Sequence, residues 1–153
     1  MNTKKINPKD AVGIGKIPMS CVPSGPLQEL GVAMYEGARK YGRHNWRATG
    51  TQASVMYDAA MRHLMAWWEG EDIDPDSGLS HLTKAMASMA VLRDAQIRDH
   101  EDHPCYIDDR PPTTSRGHAK QLNLKALNIL KTYPDAPEPI TELGTDAEEP
   151  EGS

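Results

Sequence analysis

Four stretches of this chain repeat apolar side chains every three or four positions, and none reads as a convincing strand, which commits the fold to helices. In the first, LQELGVAMYEGARKYG sets Leu27, Leu30, Ala33, Met34, Ala38 and Tyr41 at helical spacing. Pro26 suits a first helical turn and Gly42 a stop. The second is predicted over about residues 55–69, capped by Ser54, with Tyr57, Met61, Leu64 and Trp68 as its apolar stripe. Gly70 and Pro75 end it. The third begins at the capping signal Ser77-Gly78 and runs from about Leu79 to Asp99 through Leu82, Ala85, Met86, Met89, Leu92 and Gln96. The fourth, HAKQLNLKALNILKTY, uses Leu122, Ala126, Leu127 and Leu130. The expected architecture is all-α, a four-helix-type bundle. A chain without Phe, sparse in Val and Ile and carrying eight Met, fits helix better than sheet. At 153 residues it has room for one modest core.

The remaining segments are punctuation. Residues 11–25, AVGIGKIPMSCVPSG, read as irregular, and so does the loop RHNWRATGTQ. The stretch EDHPCYIDDRPPTTSRG reads as a long loop. The formal charge of -5 is concentrated at one end: residues 134–153 hold seven acids, four prolines and no Lys or Arg. Without them, 15 acids face 17 bases. The expected division is a helical domain over 1–133 and a disordered, solvating acidic tail over 134–153. Two cysteines are too few for a disulfide framework, so a reduced, cytoplasmic setting is the default expectation. MNTKKINPKD has no apolar core of a secretion signal, and no stretch approaches 18 apolar residues, so no membrane partner is expected.

Two clusters carry chemistry. WWEGEDIDPDSGLSH packs five carboxylates into the eight positions from Glu69 to Asp76. If the flanking helices pack antiparallel, Glu69, Glu71, Asp74, Asp76 and His81 gather at one end of the bundle. Carboxylate oxygens are the ligands that Mg²⁺ and Mn²⁺ prefer, and such ions usually come with substrate phosphates. The plainer reading is a solvated loop in which Asp74 and Asp76 serve as turn and cap residues. No EF-hand, P-loop, nucleophile elbow or zinc motif is present.

The second cluster, EGARKYGRHNWR, combines Glu36 with Arg39, Lys40, Arg43, His44 and Arg47, and interleaves Tyr41 and Trp46. Cations beside ring faces suit a nucleotide. Glu36 stands one turn before Lys40, so it either turns inward as a metal ligand or pairs with that lysine. A nearly neutral body with an acidic tail attracts a long polyanion poorly, so no nucleic-acid partner is expected. Trp67 and Trp68 give the second helix apolar surface on two sides, and a homo-oligomer, dimer or tetramer, is expected to cover part of it.

The ordered motifs GKIPMSCVP, YEGARKYGRHNW and YDAAMRHLMAWWEGEDIDPDSGLSHLTKA resemble the phage-type dATP/dGTP diphosphohydrolases, small all-α relatives of the MazG-type pyrophosphohydrolases that include the MazZ enzymes. The resemblance covers roughly residues 11–95, and KYG..NW and RHL.AW..GED.D..SG..HL carry most of it. It implies an oligomeric helical bundle holding two or three Mg²⁺ or Mn²⁺ ions on acidic side chains. Water attacks the α-phosphate of dGTP or dATP, releasing pyrophosphate, and in MazZ-type members the dGMP feeds 2-aminoadenine nucleotide synthesis. By analogy, Glu36, Glu71 and Asp76 are the catalytic carboxylates. Glu36, His63, Glu69, Glu71, Asp74, Asp76 and His81 are the metal ligands. Lys16, Lys40 and Arg62 hold phosphates, and Gly15, Ser20, Asn45 and Trp46 hold the nucleoside. The chain departs from the MazG pattern in carrying neither EExxE nor ExxD in full, so Asp58 joins the acids available to replace them. Two other readings stay open: a pyrimidine-directed pyrophosphatase acting on dUTP or dCTP, and a non-catalytic phage accessory module.

Overall fold

The computed structural model describes residues 7–112, 116–135 and 137. The chain divides into two compact units, Met1–Arg110 and Pro111–Ser153. The first contains α1 (Pro8–Gly13), a 3-10 turn (Met19–Cys21), α2 (Ser24–Tyr41), α3 (Trp46–Thr49), β1 (Thr51–Gln52), α4 (Ala53–Trp68), α5 (His81–Arg98) and β2 (Tyr106–Ile107). The second contains α6 (Arg116–Thr132), whose Leu122, Leu127 and Leu130 are exposed. The all-α expectation holds, and each predicted helix is present. The predicted acidic tail lies almost wholly outside the described residues.

Helix ends follow local chemistry. Pro26 sits in the first turn of α2, where backbone N–H groups have no partner to lose. Gly42 ends that helix at φ 95°, a conformation that L side chains rarely adopt, and donates its N–H to the Ala38 carbonyl at 3.0 Å. The other two caps differ from expectation. Ser54 lies inside α4; its N–H and hydroxyl both donate to the Asp109 carboxylate, the N–H at 2.8 Å, so the cap comes from 55 residues downstream. Helix α5 is capped by Ser80, whose Oγ accepts from the Leu82 N–H at 3.2 Å. Ser77 instead donates to Asp74.

α4 and α5 pack antiparallel, and α2 packs on α5, where Thr83 donates to Glu29 at 2.6 Å. The face that α4 buries is not the predicted one. Ala53 and Ala60 are buried and Met56 and His63 half-buried, whereas Tyr57 and Trp68 are 58% and 77% exposed. The buried stripe is rotated by one residue, about 100° around the helix. Alanines let the helix axes approach closely, and the large side chains are left outside.

Three segments expected to be irregular carry structure. α1 and the 3-10 turn fall within or overlap residues 11–25, and α3 lies in RHNWRATGTQ. The third segment returns to the start of α4: β1 and β2 pair in parallel, Thr51 with Tyr106 and Gln52 with Ile107. The Thr51 N–H donates to the Cys105 carbonyl at 3.0 Å. Cys105, 2% exposed, joins Trp46 and Ala95 in the core, with Met34, Val91 and Tyr106 packed against them. Among the described residues no helix is long and apolar enough to cross a membrane.

Candidate active site

The loop between α4 and α5 is built tightly rather than merely solvated. Asp74 donates its N–H to the Leu79 carbonyl and accepts from Gly78 N–H, each at 2.8 Å, and the His81 N–H reaches the Asp72 carbonyl at 3.0 Å. Asp74 is buried, and the Ser77 hydroxyl at 2.6 Å holds its carboxyl below the usual carboxylate range. His81, 5% exposed, faces His63 across the helix pair with their Nδ1 atoms 2.8 Å apart. Its Nε2 lies 3.3 Å from Glu71 Oε2, near enough to attract but outside hydrogen-bond geometry. Burial of the His63 ring lowers its pKa, against the opposing pull of Asp74.

One turn along α5, Lys84 donates to Glu36 Oε2 at 2.6 Å, and Lys40 donates to Glu36 Oε1. Both ammonium groups, Lys40 first, hold the Glu36 carboxyl below its ordinary pKa. Lys40 is in turn held above its own, chiefly by Glu36, with Asp76 contributing through space. The charge of Lys84 reaches Asp74 and His63. The acidic loop and the Glu36–Lys40 turn, separated in sequence, are therefore neighbours around Lys84.

Beside this cluster α2, α4 and α5 enclose a groove of about 250 Å³. Glu36, Lys40 and Lys84 line it together with Asn45 and Ser88, and Met34, Trp46, Met56 and Val91 supply apolar wall. Of the residues expected to contact substrate, Lys40, Asn45 and Trp46 meet here. Trp46 presents only part of its surface, being 9% exposed in the core. Gly15, Lys16 and Ser20 are exposed on the segment before α2, and Arg62 is exposed on α4; none of the four lines the groove. Glu69, Glu71 and Asp76 are exposed on the loop. Lys84 was missed, because a lysine on an amphipathic helix reads as solvated surface.

Asp94, also missed, fixes the groove wall. It accepts from Trp46 Nε1 at 2.8 Å and, bidentately, from Arg47 Nε at 2.7 Å and Nη2 at 2.8 Å. Arg47 first, then Trp46 among its donors, lowers its pKa from 3.8 to about 2. The sign follows: the ionised form is favoured by folding, so its stabilisation is complete above 3.8 and lost as pH falls through about 2. The contribution is about 1–2 kcal/mol, allowing for partial solvent screening. Acid titration of the melting temperature is expected to show this loss below pH 3.8, and Asp94→Asn to flatten it; an unchanged slope in the variant would remove Asp94 from the account.

The expected metal ligands do not converge on one point: among the described residues, no three His, Cys, Asp or Glu side chains stand together as a metal-holding group. An all-protein cage does not fit. A divalent ion bound together with phosphates needs only one or two carboxylates from a protein, and Glu71, beside His81 Nε2, and Asp76 are among the exposed carboxylates of this loop.

A mostly helical chain in which two lysines from different helices share one carboxylate in an aromatic-edged groove is an all-α protein. Residues 6–110 match the family model described as dATP/dGTP diphosphohydrolase, N-terminal, and the chain belongs to that family. A dATP/dGTP diphosphohydrolase of Salmonella phage PMBT28 is 31% identical over 78 residues, 51% of this chain. The match spans 26% of that relative's length. No solved structure matches the chain.

Proposed function

We propose that the protein is a metal-dependent diphosphohydrolase of deoxypurine nucleoside triphosphates, converting dGTP, and secondarily dATP, with water into the monophosphate and pyrophosphate. The observation that carries this reading is the groove between α2, α4 and α5, cationic at one end and apolar at the other, in a chain of this family. Its cationic end suits the triphosphate, and Met34, Met56 and the edge of Trp46 suit the nucleoside, with Asn45 able to donate to and accept from a base edge.

The water oxygen bonds to the α-phosphorus, the bond from that phosphorus to the bridging oxygen breaks, and pyrophosphate leaves with the electron pair. A carboxylate of Glu71 or Asp76 takes the water proton. Lys40 neutralises charge on the leaving group. Mg²⁺ or Mn²⁺ would supply further charge neutralisation and a more acidic water; of the candidate ligands Glu36, His63, Glu69, Glu71, Asp74, Asp76 and His81, one or two carboxylates, Glu71 or Asp76 first, would hold it together with the substrate phosphates. In a phage-infected cell the dGMP would serve 2-aminoadenine nucleotide synthesis. A homo-oligomer would cover large apolar side chains that one chain leaves exposed, among them Tyr57, Trp68, Met86 and Met89.

Incubation with each of the four common dNTPs and dUTP, with Mg²⁺ or Mn²⁺, tests the reading. The expected result is dGMP and pyrophosphate from dGTP, ahead of the pyrimidines, and no turnover in chelator. Absence of hydrolysis with all five nucleotides and both metals would refute it.

A further inference from the structure

Lys84 and Lys40 reach the same carboxylate from different walls of the groove, one from α5 and one from α2. Two ammonium groups share one Glu36, so within this trio one positive charge is left over, and the Asp74 and Asp76 carboxylates act on the two lysines only through space. Lys84 and Glu36 are mostly withdrawn from solvent, their side chains 20% and 23% exposed, whereas Lys40 is open, its side chain 52% exposed. Both lysines line the groove, and Ser88, one turn beyond Lys84, lines it too. Lysine is a compact point charge with three donors, so each can bond oxygens of an anion entering the groove.

We propose that Lys84 and Lys40 form a two-helix clamp for the polyphosphate of the substrate, and that Glu36 is its placeholder. In the empty groove Glu36 holds both ammonium groups in position. When a triphosphate enters, its oxygens replace the Glu36 oxygens on Lys84 and Lys40, and the freed carboxylate becomes available to a divalent ion or a water. Nucleotide and metal then bind with positive coupling, because each relieves a competition that the other faces. The proposal rests on the diphosphohydrolase reading and adds Lys84 and the exchange at Glu36 to it.

The two are separated by measuring binding of dGTP, dGMP and deoxyguanosine in metal-free buffer with chelator, beside steady-state kinetics with Mg²⁺. Lys84→Gln is expected to weaken dGTP binding about tenfold or more while changing deoxyguanosine binding less than about twofold, the signature of a lost charge-assisted contact to phosphate. With Mg²⁺, KM is expected to rise by a similar factor with kcat changed far less, and Lys84→Arg to recover much of the loss. Glu36→Gln moves the other way: with the competing carboxylate gone, it is expected to bind dGTP about threefold or more tightly in chelator, though it loses turnover with metal. Circular dichroism melts identify any variant that fails to fold, and Glu36→Gln tests the exchange even if Lys84→Gln does not. Wild-type dGTP affinity in Lys84→Gln, or weaker metal-free binding in folded Glu36→Gln, would overturn the clamp and leave the function standing. Failure of the wild-type protein to bind or hydrolyse any dNTP would overturn both.

Discussion

Trp46→Ala is expected to cost about 3–5 kcal/mol of folding stability, the range for truncating a large core aromatic. Trp46 is 9% exposed and is the largest side chain of the core cluster, packed with Ala95, Cys105, Met34 and Val91. Truncation removes that contact and opens a cavity beneath the short α3. It also deprives Asp94 of one of its donors. Denaturant unfolding read by circular dichroism gives the number. Trp68→Ala is the control: that ring is 77% exposed, and in the single chain its removal is expected to change stability by less than about 0.5 kcal/mol. A Trp46→Ala loss below about 1 kcal/mol would mean that the cluster around Ala95 and Cys105 is not the centre of the fold.

The second large effect falls on turnover. Glu71→Ala and Asp76→Ala are each expected to lower kcat for dGTP by about a hundredfold or more, as for loss of a positioned base, while leaving the helix content intact. Both carboxylates are exposed on a loop whose backbone is held by its own bonds through Asp74, Ser77 and Asp72, so their removal has little to collapse. Glu71 faces His81 Nε2 and the Asp76 charge reaches Lys40, which ties each to one side of the cluster. Product analysis beside a circular dichroism spectrum checks the result. Full activity in both variants would take the loop out of the chemistry.

Where the signal was local, the sequence could be read. The stop at Gly42, the pause between Trp68 and His81 and the helical period of all four long helices depend on neighbours within a turn, and the structure has them. The orientation of α4 was not legible, because large side chains dominate a periodicity and alanines do not, yet Ala53 and Ala60 make the close contact. Three tryptophans look alike in the sequence; only the one with a distant Asp94 to accept its Nε1–H is buried. β1 and β2 were invisible because two residues per strand carry no pattern. In the site, the meeting of Lys40 and Asn45 with Glu36 followed from their shared stretch. Lys84 and Asp94 were missed because their importance lies in partners 48 and 47 residues away.

The return of residues 105–109 to the start of α4 imposes an order on assembly. Asp109 at Ser54 and Cys105 at Thr51 join points about half a hundred positions apart, and enclosed between them is the whole antiparallel pair with its acidic turn. Closing so long a span in an open chain is entropically unfavourable, whereas a helical hairpin brings its two ends together as it forms. The clasp is thus expected to close late, after the hairpin has formed. Once shut, it holds the base of the pair from the end opposite the carboxylates, so that a single cut in the acidic turn would leave the two halves still joined at the foot.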